Sequence, residues 1–226
     1  MKRLFIFILA AGLSISAMAQ ETAKDYKRAA QDAFKAQDFK TALVNYEKAI
    51  DLQEADNIVD TALYFNTAVS ALKSENFESG AKYFKKCTEL QYKALTCYKQ
   101  LGKCQQQIGD YDNMKTDMEK AVALFPDDAT CKQFLASAYL FNARKKCDEG
   151  SIIIKAAEPL KSDVEKYNAE IAKAKESFKE ALPDAEKAFQ LNPTSKPAAT
   201  ALYGIYTNLE MKSKAAEIKT KLATMK

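Results

Sequence analysis

One helix-face pattern, written three times without gaps, constrains this chain more than any other feature. It reads Asp38-Phe39-x-x-Ala42-x-x-x-Tyr46-x-x-Ala49, then Asn76-Phe77-x-x-Gly80-x-x-x-Phe84-x-x-Cys87, then Asp110-Tyr111-x-x-Met114-x-x-x-Met118-x-x-Ala121. Offsets 0 and 7 hold large side chains and offsets 3 and 10 mostly small ones, which is one stripe of an α-helix with a notch cut into it. A small residue admits a neighbouring helix, and the large ones fill the space on either side. A second helical pattern precedes each copy: Tyr26-x-x-Ala29-Ala30, Tyr64-x-x-Thr67-Ala68 and Tyr98-x-x-Leu101-Gly102. Short polar turns join the two halves, and Asp38, Asn76 and Asp110 are suited to cap the second helix. With 6 glycines and 5 prolines in 226 residues, a turn-rich sandwich or barrel is excluded and long helices are expected.

These residues resemble the tetratricopeptide repeat family, whose period is about 34 residues. Tyr98, Leu101, Gly102 and Pro126 make the third repeat the best match. The first repeat departs from the pattern, with Ala33 where an aromatic is usual and Phe34 beside it. The resemblance implies an all-α fold: a right-handed superhelical solenoid of about five stacked antiparallel helix pairs. Repeats are expected to start near residues 23, 61, 95, 129 and 196, within a domain covering 20–226. About four extra residues, near Glu54–Asp60, separate the first two repeats.

The fourth repeat is split. Leu135, Ala136 and Tyr139 mark its first helix, and Ala181, Ala185, Ala188 and Leu191 mark the end of its second. The insertion between them spans about 147–175. Cys147-Asp-Glu-Gly150-Ser reads as a turn, Ile152–Ile154 as a short apolar run, and Ser162 with Glu165 as a capping box. Pro183 is expected to bend the helix that follows. In the last pair, Leu202, Tyr203 and Tyr206 are followed by Ala215 and Ile218, with Lys212, Lys214, Lys219 and Lys221 suiting a terminal cap that faces water.

No catalytic constellation is present in the sequence, so the chain reads as a non-enzyme with no cofactor and no metal. Histidine is absent, which removes Ser-His and Cys-His nucleophiles and histidine metal sites. The glycines are isolated, so no phosphate loop exists, and Asp110, Asp112, Asp127 and Asp128 lack calcium-loop spacing. Cys87, Cys97, Cys104 and Cys131 fall on packing positions and serve either as small buried apolar residues or as an inter-repeat disulfide, Cys104–Cys131 or Cys87–Cys97.

Residues 1–19 read as a cleaved signal peptide. Lys2 and Arg3 precede the apolar stretch Leu4–Ile15, and Ala17-Met18-Ala19 forms a small-x-small cleavage site. The remaining chain carries 32 Lys+Arg (34 less Lys2 and Arg3) against 30 Asp+Glu, a balance that gives no reason to invoke nucleic acid. A periplasmic location is expected, with secretion or cell-surface association as the alternative and no membrane insertion after cleavage.

The resemblance implies that the first helix of each repeat lines a concave groove that holds a protein partner. By register the lining positions are Lys24, Lys27, Arg28, Gln31, Phe34 and Lys35, then Ala62, Phe65, Asn66, Val69, Leu72 and Lys73, then Thr96, Lys99, Gln100, Lys103, Gln106 and Gln107. Seven of these eighteen are Lys or Arg and none is acidic, so an extended acidic or carboxylate-terminated segment is the expected ligand. The family's carboxylate clamp is matched only by Lys27 and Asn66, with Gln31, Thr96 and Gln100 in its other places. The chain therefore reads as an adaptor of the bacterial cell envelope; the alternative is a small-molecule or glycan-binding accessory protein, with the insertion and Tyr139, Phe141 and Tyr167 as a lid. N-terminal sequencing of the exported protein checks the leader: it should begin at Gln20, and a retained Met1 refutes the cleavage.

Overall fold

Polar residues placed one position ahead of each apolar stripe decide where the helices begin. The computed structural model describes residues 21–225; the expected signal peptide lies outside the described residues. Among the described residues there are ten α-helices and no strand: α1 (Ala23–Lys35), α2 (Phe39–Ala55), α3 (Thr61–Lys73), α4 (Phe77–Glu89), α5 (Ala94–Ile108), α6 (Tyr111–Leu124), α7 (Ala129–Ala157), α8 (Val164–Leu191), α9 (Lys196–Asn208) and α10 (Lys212–Thr224). Thr22, Asp38, Asp60, Asn76, Asp110, Asp128, Asp163 and Ser195 each accept the backbone N–H three residues on, satisfying an otherwise orphaned donor. Helices α5 and α10 start without a side-chain cap, at Lys93 and Met211.

The turns inside the short hairpins are one motif repeated. Gln37, Glu75, Gly109 and Glu210 take positive φ of 62°, 59°, 73° and 60°. The amides of Asp38, Asn76, Asp110 and Met211, each one residue further on, donate to Ala33, Ala71, Gln105 and Tyr206 oxygens at 2.8–2.9 Å. This Schellman closure reverses the chain and delivers the next cap in the same step.

Packing proceeds in sequence order: each helix touches the next, as a stack of five antiparallel pairs requires. In addition α5 touches α7 and α7 touches α9, whereas no two even-numbered helices share a comparable contact among the described residues. Alternate helices therefore approach one another on the odd-numbered side, at α5–α7 and α7–α9. The notches work as the sequence implies: Ala42, Ala49, Cys87, Ala121, Ala181, Ala185 and Ala188 are wholly buried. A Cβ added to Gly80 would sit 2.8 Å from Cys104 Sγ, and one added to Gly102 would sit 2.7 Å from the Phe134 ring. One polar knot lies within the core. Asp117 of α6 is 3% exposed, accepts from Gln105 Nε2 of α5 at 2.8 Å, and pairs with Lys85 of α4 at 3.3 Å. The core falls into two clusters, one from Ala30 to Ala138 and one from Ala143 to Ile218.

The insertion differs from its reading in the sequence. No turn interrupts 147–151: α7 runs through it for 29 residues, and Gly150 is buried because the Phe178 ring of α8 lies 2.9 Å from where its Cβ would be. Glycine serves there for close helix approach rather than for reversal. The extra residues lengthen α7 and α8 together into one long hairpin, clipped by Lys146–Glu180 at 3.1 Å and turned by a short 3-10 segment at Glu158–Leu160. The cap of α8 is Asp163, which accepts from the Lys166 amide, rather than Ser162; and α8 continues through Pro183 to Leu191.

The cysteines are thiols. The Cys104–Cys131 pairing is not formed, because Cys104 faces Gly80 on α4 while Cys131 sits 34 residues after Cys97, at the register that faces Ala121 on α6. Cys87 and Cys97 are neighbours but likewise unbridged, and Cys97 Sγ donates to the Tyr92 carbonyl at 3.2 Å. Burial pushes the thiols of Cys104 and Cys147 up to about 11 and that of Cys131 to about 12, so none is a thiolate at neutral pH.

Two glycine substitutions should move stability in opposite directions. Gly150→Val forces branched carbons against Phe178 and the Ala174 carbonyl, and should cost about 1–3 kcal/mol. Gly204→Ala, in open space within α9, should gain about 0.5–1 kcal/mol. Urea unfolding followed by far-UV circular dichroism measures both.

Candidate functional site

The inner face is built by α1, α3 and α5, and its recurring element is a clasp between successive repeats. Lys27 of α1 reaches Asp60, the cap of α3, and Lys99 of α5 reaches Asp128, the cap of α7, at 2.8 Å. The equivalent residue of α3 is Phe65, and the residue ahead of α5 is Lys93, whose Nζ lies 4.1 Å from the Phe65 ring centroid. Three successive junctions are therefore closed from the same register position, twice by an ion pair and once by a cation over an aromatic face.

The clasps set the local electrostatics. Burial pushes the Asp60 carboxyl up, but the Lys27 ammonium and the Leu63 amide more than offset this, and it sits below its ordinary value. Asp128 is held below its ordinary value by Lys99 first and the Cys131 amide second, and Lys99 is raised by Asp128 in return. Lys27 and Lys99 are thus neutralised within the fold. The expectation that the lining carries no acid overlooked Asp60 and Asp128, which enter the same wall as helix caps. The signal was present in the sequence, one residue ahead of each first helix.

The other expected lining residues divide by burial. Phe34, Phe65, Val69 and Leu72 are half-buried and rest on the first core cluster, with Phe34 edge-on to Phe39 at 5.2 Å and Phe65 edge-on to Phe84 and Tyr92. They form an apolar strip that is partly open. Asn66 is half-buried and its carbonyl accepts from Ser70 Oγ; Gln31 and Lys103 are exposed. Among the described residues no carboxylate lies within 4.0 Å of the Lys24, Arg28 or Lys103 cationic group. A depression of about 480 Å³ opens between Lys24, Asp25, Lys27, Arg28 and Gln31 of α1, Gln53 in the last turn of α2, and the loop residues Asp56 and Ile58. The extra residues between the first two repeats supply that loop, and Ile58 is half exposed there.

The three aromatic residues of the supposed lid do not converge. Tyr139 donates to Glu119 at 2.7 Å and Phe141 stacks on Tyr111 at 4.2 Å, both at the base of the long hairpin. Tyr167 sits near its far end, roughly 30 Å away at 1.5 Å per residue. The insertion is an outward hairpin and covers nothing with these residues. Among the described residues no cluster of three metal-ligating side chains occurs, and no helix is long and apolar enough to cross a membrane.

Replacing Asp128 by Asn keeps the helix cap and removes the charge that holds Lys99. The variant should melt a few degrees lower at neutral pH, exposed ion pairs being weak. A carboxyl with a lowered folded-state pKa stabilises above its unfolded value of about 3.9 and ceases to do so as pH falls through the folded one, so the two melting curves should converge in acid. Calorimetry across the acid range checks this.

Comparison with known proteins follows the same register. A family model described as tetratricopeptide repeat matches residues 95–128. The heat shock protein STI1 of Saccharomyces cerevisiae is 27% identical over 114 residues, 50% of this chain and 19% of that protein, so the chain spans about a fifth of that relative's length. Among solved structures, a TPR repeats protein of Bacteroides fragilis is 18% identical with a TM-score of 0.47, covering 83% of this chain and 99% of its own. MamA of Desulfovibrio magneticus is 16% identical with a TM-score of 0.46, covering 91% and 96%. The chain therefore carries a tetratricopeptide repeat at residues 95–128, with the neighbouring hairpins laid down on the same offsets.

Proposed function

We propose that this protein is a non-catalytic adaptor of the bacterial cell envelope, exported by its N-terminal segment to the periplasm, that holds a protein partner along the inner face of α1, α3 and α5. One observation carries the reading. The first helices carry a partly open strip of Phe34, Phe65, Val69 and Leu72 together with Lys24, Arg28 and Lys103, none of which has a carboxylate within 4.0 Å among the described residues. An extended segment with apolar side chains and acidic or carboxylate termini matches both parts. A shallow, pre-formed helical surface suits holding rather than transforming, and burial keeps the Cys104 and Cys131 thiols protonated. With Lys27 and Lys99 already engaged, the cationic contacts left for the partner are Lys24, Arg28 and Lys103, and the apolar ones fall mainly on α3.

The test is a triple charge reversal, Lys24→Glu, Arg28→Glu and Lys103→Glu, on positions that make no ion pair in the fold. Capture of envelope proteins after mild crosslinking, and binding of a labelled acidic peptide with a free C-terminus, should fall by about tenfold or more, equivalent to about 1.4 kcal/mol. Undiminished capture by the folded variant refutes the groove.

A further inference from the structure

The two ends of the stack do not carry the residues found at its internal junctions. At the α4–α5 junction, Gly80 meets Cys104 and Cys87 meets Cys97, with Leu101 wholly buried between them. Each first helix repeats this backward-facing triplet: Leu63, Thr67 and Ser70 in α3, and Cys131, Leu135 and Ala138 in α7, all buried. In α1 the same register holds Asp25, Ala29 and Asp32, all exposed. At the opposite end, the α10 positions equivalent to Gly80, Phe84 and Cys87 are Ala215, Lys219 and Leu222. Between α9 and α10 a depression of about 320 Å³ lies open where a further helix would seat, walled by Tyr203, Tyr206, Ala215 and Ala216 with Lys212 and Lys219 at its edge. Glu210 also borders it, but is held by Lys175 at 2.8 Å.

We propose that the protein associates head to tail with a second copy, α1 of one chain seating on the α9–α10 end of another. Transposing the internal junction onto the two ends lays Asp32 beside Ala215, Ala29 over Lys219 and Asp25 beside Leu222. Lys219 then lies between the two carboxylates, one helical turn from each, and Lys212 one turn beyond Ala215 faces Asp32. Phe134, which covers Gly102 inside the stack, corresponds to Arg28, and Gly102 corresponds to Tyr203, so a guanidinium meets a tyrosine face. The two carboxylates of α1, Asp32 in an exposed pair with Lys35 at 3.4 Å, oppose the lysines of α10 only in the head-to-tail sense, with Arg28 placed on the Tyr203 ring rather than against a lysine. Such an interface is heterologous and extends the solenoid from chain to chain.

The experiment is sedimentation equilibrium on the protein expressed from its full sequence, into the high micromolar range, at roughly 0.01 M and 1 M salt, where the screening length falls from about 30 Å to about 3 Å. Association is expected at low salt and its loss at high salt. Asp32→Lys alone and Lys219→Glu alone, both at exposed positions, should each weaken it by about tenfold or more. An equimolar mixture of the two variants should associate again, because each head then meets an opposite tail. A wild-type chain that stays monomeric at low salt overturns the proposal, as does association that neither variant weakens or that mixing does not restore.

Discussion

Close approach at a small residue is the constraint on which the rest of this structure depends. At Ala42, Gly80 and Ala181 a missing side chain cuts a notch, and at Gly80 the facing Cys104 of α5 occupies it. Interiors pack to near-crystalline density, so a notch fixes both the distance and the rotation of the helix that enters it. The Schellman turns and acidic caps then serve to present each helix at the right phase. The inner face, its apolar strip and its clasps are consequences of that phase.

The clasp shows how one position tolerates different chemistry while keeping its task. Lys27, Phe65 and Lys99 occupy the same place in three repeats and close three successive junctions, although the middle one reverses the arrangement by putting the cation on the far side. What is retained is a favourable contact across the gap between inner helices. The chemistry left for a partner is decided by which cations the fold has already engaged, and that differs from a count of lysines on a helix face.

Much of the architecture was legible because a notch has a signature at fixed offsets that survives changes of residue identity. Tyr46, Phe84 and Met118 are chemically unlike one another, yet each fills the same space. The insertion was harder to read, because Asp148, Glu149, Gly150 and Ser151 form a turn-like composition whose glycine answers to Phe178, 28 positions away in sequence. The cap of α8 was displaced by one residue because Ser162 and Asp163 are both competent and only the chain's path chooses between them. The residues expected to line the first helices were legible as register positions and not as a charge distribution. Asp60 and Asp128 are visible in the sequence as helix caps, but their pairing with Lys27 and Lys99 of the preceding repeats is not, because it joins residues about thirty positions apart. The five cysteines illustrate the same point, since their spacing allowed bridges that the facing residues do not supply.

Helix α7 belongs to both hydrophobic clusters: Leu135 and Ala138 pack into the first, Ala143 into the second. Without a turn at 147–151 it is a single strut of roughly 43 Å at 1.5 Å per residue. Its lower half is clasped by Lys99 through Asp128, at the edge of the groove. A small tilt at Asp128 would therefore displace Ala157 by a larger distance, so the hairpin tip amplifies changes of angle at the α5–α7 junction.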